Sequence, residues 1–402
     1  MREIVILANV PTDAVNVGFI PAAQRLGLKV VLLTDQAESH RQYFGQGGRA
    51  SYPHEIIACD VFNPLAVVDA VTARAQPPAA LFSNSDHLQT STAIAADYFG
   101  LPRKHWHATY RTKNKAEMRA HLQRRELDAL WHAVVCDEAT LARWAVSVPF
   151  PCIVKPREGV ASQHVHLARV WTELESHCLD IWRTHPGQPL LLEEYIDGPL
   201  YTLETLGDGT RLQVLGGFRV ELSPPPHFVE TAARWGTGLR PEDEAHVIDL
   251  LGRLGVGFGA CHTEFVMTDH GPRLIEINYR SIGDYREFLL QDALNIPLFE
   301  LVLRLYLGEP LPELTIAPGA AQIRYFTANA AGLLTRAPAA FDRDADAIQV
   351  RYTPLRRIGE TVSLPRSNKD YLGVLRGTGP DAARLDLEMA RLCDELAWEV
   401  SV

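Results

Sequence analysis

Glu264, Glu276 and Asn278 are spaced so that one β-hairpin would bring three oxygen donors onto a single face. They lie in the stretch HTEFVMTDHGPRLIEINYR, residues 262–280. Asp269-His270-Gly271 is a turn signal between two apolar runs. Glu264 and Glu276 are equidistant from residue 270, so folding there sets them opposite each other. Side chains alternate along a strand, which puts Asn278 on the face of Glu276 and Arg280 on the same parity at the strand's end. Facing carboxylates repel, and a cation between them would relieve the repulsion. An all-oxygen donor set suits Mg²⁺ shared with a phosphate better than a thiolate metal. The same residues would also serve in a surface hairpin with solvated carboxylates, and Arg280 in a plain ion pair.

Three further segments carry possible chemistry. Lys155 stands inside the apolar run CIVKP, where an ammonium is costly unless it meets an anion. The following loop, REGVASQ, has Gly159 and Ser162, small residues able to close over a phosphate with backbone N–H groups. Lys115 starts a predicted helix, where a point charge would add to the anion preference of the N-terminus. Lys113 is close enough to be its competitor. LLLEEYIDG, residues 190–198, has Glu193 and Glu194 wedged among apolar residues. Such a strand end could line an adenine slot, backbone groups of Glu194 and Ile196 meeting the base edge and one glutamate the ribose. A solvated strand face or helix charge accounts for each of these positions taken singly. His105-x-His107 and His164-x-His166 lack a nearby third ligand and read as ordinary histidines.

These positions need a scaffold. Residues 1–108 alternate strand and helix: strands at 4–8, 29–35, 55–60 and 80–87, helices at 19–26, 64–75 and 88–99. That pattern predicts a parallel sheet with crossover helices, its crevice at the polar strand ends Asn9, Thr34-Asp35, Asp60 and Ser83-Asn84-Ser85. The first strand runs into NVPTDAVNVG, which lacks the Gly-x-Gly-x-x-Gly of a nicotinamide domain. Thereafter helices are predicted at 113–127, 137–146, 171–184, 242–254, 284–295, 298–308 and 381–397. Strands are predicted at 131–135, 150–156, 164–168, 189–196, 201–206, 212–222 and 227–231, with SPPP at 223–226 as a turn.

At 402 residues the chain should hold two or three domains. A net charge of −10 disfavours a nucleic-acid surface, so an anionic ligand must be held by local positive charge. Six scattered cysteines without a Cys-x-x-Cys pair read as reduced thiols. No apolar run approaches a membrane span and no signal segment is evident. A soluble cytoplasmic protein is expected, with no membrane partner.

Taken in order, KNKAEMR, CIVKP, LEEYIDG and HTEF…LIEINYR resemble the ATP-grasp superfamily over roughly residues 1–310. The run FVET…PEDEAHVIDLLGRLGVGFGACHTEF is most similar to its L-amino-acid ligase branch. The resemblance implies a fold of the α/β and α+β classes. An N-terminal parallel pre-ATP-grasp domain (1–108) would precede a two-subdomain ATP-grasp domain (109–310, lid about 115–195) and a C-terminal α+β region (311–402). It implies ATP and Mg²⁺ as cofactors. Lys115, Lys155 and Ser162 would meet phosphates; Glu193, Glu194, Tyr195 and Ile196 would hold adenosine; Glu264, Glu276 and Asn278 would ligate Mg²⁺. Arg280 would steady the transferred phosphoryl group. Leu200 stands where many members have a ribose-binding glutamate, and Glu204 is the candidate replacement. Arg286, Arg219 and Glu230 are candidates for substrate charge, with a structural ion pair as the alternative for each. The implied reaction joins a small-molecule carboxylate to an amine through an acyl phosphate, in the biosynthesis of a dipeptide or another small secondary metabolite. A homodimer is compatible with it. A purine- or biotin-type carboxylating enzyme and a non-catalytic ATP-binding scaffold are the alternatives.

Overall fold

The computed structural model describes residues 1–45, 53–316 and 319–401. The N-terminal apolar runs Glu3–Leu7 and Lys29–Thr34 pair in parallel, with Glu55–Ala58 and Ala80–Phe82 at the edges. Ile4–Leu7 and Val30–Leu33 are fully buried because helices cover both faces. The fourth strand is shorter than the predicted 80–87. Beyond Phe82 the Ser83 hydroxyl donates to Leu7 O (2.8 Å), and Asp86–Leu88 turns as a 3-10 helix. The predicted helix at 19–26 is entered through a π-type turn, Ala14–Phe19, and runs over Ile20–Arg25.

The predicted helix 113–127 is two helices, Trp106–Lys113 and Lys115–Arg124. Asn114 divides them: its side-chain oxygen accepts from Glu117 N (3.1 Å) and caps the second. Next comes a four-stranded antiparallel sheet, within the segment expected as the lid, ordered His132–Val135, Leu190–Glu194, Cys152–Pro156, His166–Ala168. Helix Trp171–Thr184 buries Leu174, Cys178, Ile181 and Trp182 against it.

A ten-stranded sheet forms the body. The hairpin Phe258–Thr268 and Gly271–Asn278 edges it, followed by Leu200–Asp208, Phe218–Leu222 and Glu230–Trp235. The stretch predicted as one strand, 212–222, breaks at Gly216-Gly217 into Leu212–Gly216 and Phe218–Leu222. A Cβ on Gly216 would fall 2.3 Å from the Trp235 ring, and one on Gly217 would fall 1.9 Å from Thr202 O. The strand predicted at 227–231 is Glu230–Trp235 instead. Ser223 and Val229 close the preceding loop on themselves, Ser223 N donating to Val229 O (2.7 Å), so the ladder starts at Leu222↔Glu230. The C-terminal strands Ala320–Thr327, Tyr371–Gly379, Ile348–Pro354 and Phe341–Ala345 continue the same sheet through Glu230–Trp235. Among the described residues no helix is long and apolar enough to cross a membrane, and all six cysteines are free.

Candidate active site

The hairpin pairs Glu264 with Glu276 because of a bulge. From the turn outward the register is Thr268↔Gly271 to Phe265↔Leu274, and then it shifts, leaving Ile275 unpaired. An unshifted ladder would set Glu264 against Ile275 and aim Glu276 at the opposite face. With the bulge, Glu264, Glu276, His262 and Asn278 share one face, and the neighbouring strand adds Thr202 and Glu204 to it.

The repulsion of the paired carboxylates is relieved by protein cations. Lys115 Nζ lies 3.0 Å from Glu276 Oε1 and donates to Gly159 O (2.8 Å). His262 bridges Glu204 Oε1 (2.8 Å) and Glu264 Oε1 (3.1 Å). Burial by itself would lower the pKa of His262, but the two carboxylates raise it to about 9. Burial opposes charge on Lys115 too, and Glu276 overcomes it, so the ammonium is held above its usual range. Glu264 is held low, His262 outweighing burial. The second oxygens of Glu264 and Glu276 have no bond to described residues. With Asn278 they make a hard donor set, which fits Mg²⁺.

A cleft separates this face from the lid, lined on one side by Lys155, Ser162, Glu193, Glu194, Tyr195 and Ile196, on the other by Leu200, Glu230, Glu264 and Glu276. Lys155, 8% exposed, is 2.5 Å from Glu193 Oε2, and Arg119 Nε is 2.6 Å from Glu193 Oε1. Burial would raise Glu193; its two cations instead hold it at about 2. Both of its oxygens are therefore engaged, and Glu194 is the glutamate with free oxygens on that strand. Glu194 N donates to Trp131 O (3.1 Å), which leaves Ile196 as the backbone donor of the pair at this edge. Lys113 does not compete with Lys115: it pairs with Asp86 of the parallel domain (2.5 Å).

Three candidates, Glu204, Arg219 and Arg280, fall elsewhere. Glu204 does not reach the cleft; it is 2% exposed, behind His262. Arg219 faces Tyr201 across its ladder, opposite in parity to Leu200 and Thr202, so it points away from the site into solvent. Asn278 is buried on the same face as Glu264, its Nδ2 3.4 Å from Glu264 Oε1. Arg280 lies past the strand, its Nη1 donating to Ser281 O (2.9 Å), next to Asn84, which accepts from the Ser281 hydroxyl (2.7 Å). The parallel sheet's strand ends thus abut the hairpin at Arg280. Arg286 and Glu230 do meet: Nη2 is 2.8 Å from Oε2, both side chains under a tenth exposed. Yet Arg286 Nε and Nη1 have no hydrogen-bond partner. His166 stacks on His177 at 4.5 Å, and among the described residues no cluster of three or more His, Cys, Asp or Glu is placed for a metal.

Sequence reasoning did not single out Arg119 or His262. His262 had a signal, two residues from Glu264 and on its face. Arg119 reads as one of several charges on an amphipathic helix, and its partner is 74 residues away.

A lysine-bearing sheet thus faces a carboxylate hairpin across one cleft, beside a parallel α/β domain. Residues 148–287 match the ATP-grasp domain model. The chain is 30% identical over 275 residues to the uncharacterized protein y4rH of Sinorhizobium fredii (strain NBRC 101917 / NGR234), covering 64% of this chain and 55% of that one. It is 33% identical over 260 residues to carnosine synthase 1 of Mus musculus, covering 58% of this chain and 31% of the relative. The chain thus spans about half the length of the first relative and about a third of the second. The L-amino acid ligase of Bacillus licheniformis has the same fold: TM-score 0.79, 20% identity, 100% of this chain and 99% of that one.

Proposed function

We propose that the protein is an ATP-dependent carboxylate–amine ligase with an amino-acid substrate. One observation carries this reading: two buried lysines and two facing glutamates line the walls of a single cleft. A carboxylate is a poor acceptor for an amine at neutral pH. Activation makes an oxygen of the acid attack the γ-phosphorus of ATP while the bond to the β-bridging oxygen breaks and ADP leaves. The amine lone pair then attacks the acyl carbon, the C–O bond to phosphate breaks, and the nitrogen gives up a proton. Lys155 and Lys115 would hold phosphate oxygens, and Arg280 would meet the transferred group at the boundary with the parallel domain. Tyr195 and Ile196 would frame adenine and Glu194 the ribose. Mg²⁺ held by Glu264, Glu276 and Asn278 would supply charge neutralisation at the phosphates. Glu230 and Arg286 are the substrate pair: Glu230 opens onto the cleft, and the unpaired Arg286 N–H groups suit a carboxylate.

The carnosine synthase likeness supports an amino-acid substrate. The test is phosphate release from ATP across a matrix of amino acids and small carboxylic acids, with mass detection of products. An amide formed with one ADP per bond supports the reading. Phosphate release that requires bicarbonate and no amine would replace it with a carboxylating enzyme, and no turnover with any pair would leave an ATP-binding scaffold.

A further inference from the structure

We propose that Asn368, in the C-terminal region, is a positioning residue that ties the substrate-facing Glu230 to the phosphate loop and so keeps water from the activated acid; this rests on the ligase reading above. Asn368 is only 6% exposed although it lies in the connection between strands Thr361–Val362 and Tyr371–Gly379. Its polar groups go to two different places. Its Oδ1 accepts from Glu230 N (3.1 Å) and its Nδ2 donates to Glu230 Oε1 (3.2 Å). Its backbone N–H donates to Ala161 O (3.1 Å). Tyr371, three residues on, donates its hydroxyl to Glu230 O (2.8 Å).

The turn is built to hold that posture. Asp370 Oδ2 accepts from Arg366 N (2.9 Å) and Ser367 N (3.0 Å), and Ser367 caps Asn368–Asp370. The loop it grips is one that needs holding. Ala161 and Ser162 both sit at φ +55, a left-handed conformation that L side chains seldom keep unless neighbours impose it. Gly159, in the same loop, takes the Lys115 ammonium on its carbonyl. Asn368 therefore connects one wall of the cleft to the segment that closes over the other. Released, the loop would admit water to the acyl phosphate. Water would then cleave the acyl C–O bond, regenerating the acid and phosphate, so that ATP and water give ADP and phosphate with no amide.

Two substitutions separate the two contacts. Asn368→Ala removes the amide on Glu230 and keeps the N–H. Its KM for the amino acid should rise about tenfold, as for lost bonds to a charged group, with one ADP still formed per amide. Asn368→Pro also removes the N–H at a first helical position that tolerates proline. It should form several ADP per amide. Loss of stability alone lowers active enzyme and leaves that ratio unchanged. Wild-type coupling and KM in both variants would overturn the proposal. If the proline variant does not fold, amide exchange in the wild-type protein decides. The Asn368 amide should be protected, more so with Mg²⁺ and ADP, and exchange as fast as an exposed loop under both conditions would sink the latch. Failure of wild type to make any amide is the separate failure of the ligase reading, which the exchange measurement does not share.

Discussion

The two walls of the cleft bury charge in opposite proportions. On the lid, the buried Glu193 is held between two cations, Lys155 and Arg119, the latter also donating to Leu274 O of the hairpin (2.6 Å). On the hairpin, three carboxylates, Glu204, Glu264 and Glu276, share two cations, His262 and Lys115. Among these buried groups cations outnumber carboxylates above and the reverse holds below, with Glu194 a further carboxylate on the lid side of the cleft. Charges this far out of water persist only when paired, and a residual charge is an invitation to a ligand of the opposite sign. The lid suits phosphate oxygens. The hairpin suits a metal ion or an ammonium. The difference teaches that repulsion between Glu264 and Glu276 is not itself evidence for a metal, since the protein supplies the counter-charges. What favours one is the pair of oxygens left over.

Removing surplus charge from either wall should affect turnover most. Glu276→Gln is expected to cut ADP formation on the order of 10²-fold or more, measured at saturating Mg²⁺ and ATP. Turnover like wild type would show that the hairpin wall is not where the metal acts. Lys155→Met should raise the KM for ATP about tenfold or more, and Glu193 should then depend on Arg119 alone. An unchanged ATP affinity would assign the phosphates elsewhere.

The hairpin wall should also carry a pH signature that the lid lacks. His262 has a folded pKa near 9 against a usual 6.5, so its protonated form is favoured by folding. That contribution is complete below pH 6.5 and is lost as pH rises through 9, on the order of 3 kcal/mol. Denaturant midpoints at pH 6.5 and 9.5 measure it. His262→Gln should flatten the slope in this window, and an equal slope in both proteins would remove the histidine from the network. The smallest effect is expected at Arg219. Being exposed on the far face, Arg219→Ala should change stability by no more than about 0.5 kcal/mol and ligation hardly at all. A large rise in substrate KM would return it to the site.

Much of this geometry was legible along the chain. The hairpin announced itself through a turn signal between apolar runs, and Lys155 through an ammonium in a strand that reads as buried. Both are local signals. Glu204 and Arg219 were misplaced because their faces depend on how separate strands pair, and Tyr201 opposite Arg219 cannot be foreseen from either segment. The predicted helix 113–127 failed at Asn114, where a capping bond outcompeted helical continuity. Arg119 and Asn368 gave no signal, because their partners, Glu193 and Glu230, are brought to them only by the finished fold.

The bulge at Ile275 sets an asymmetric rule for insertions and deletions. Residues can be gained or lost at Asp269-His270 while Glu264 and Glu276 keep facing each other, because the ladder re-forms around the tip. Deleting Ile275 would remove the extra residue and leave Glu264 paired with Glu276 in a regular ladder, whereas a further residue inserted beside it would shift Glu276 and Asn278 out of that register. In related chains, insertions between the two glutamates should therefore collect at the tip, while the bulge residue before the second glutamate can be lost.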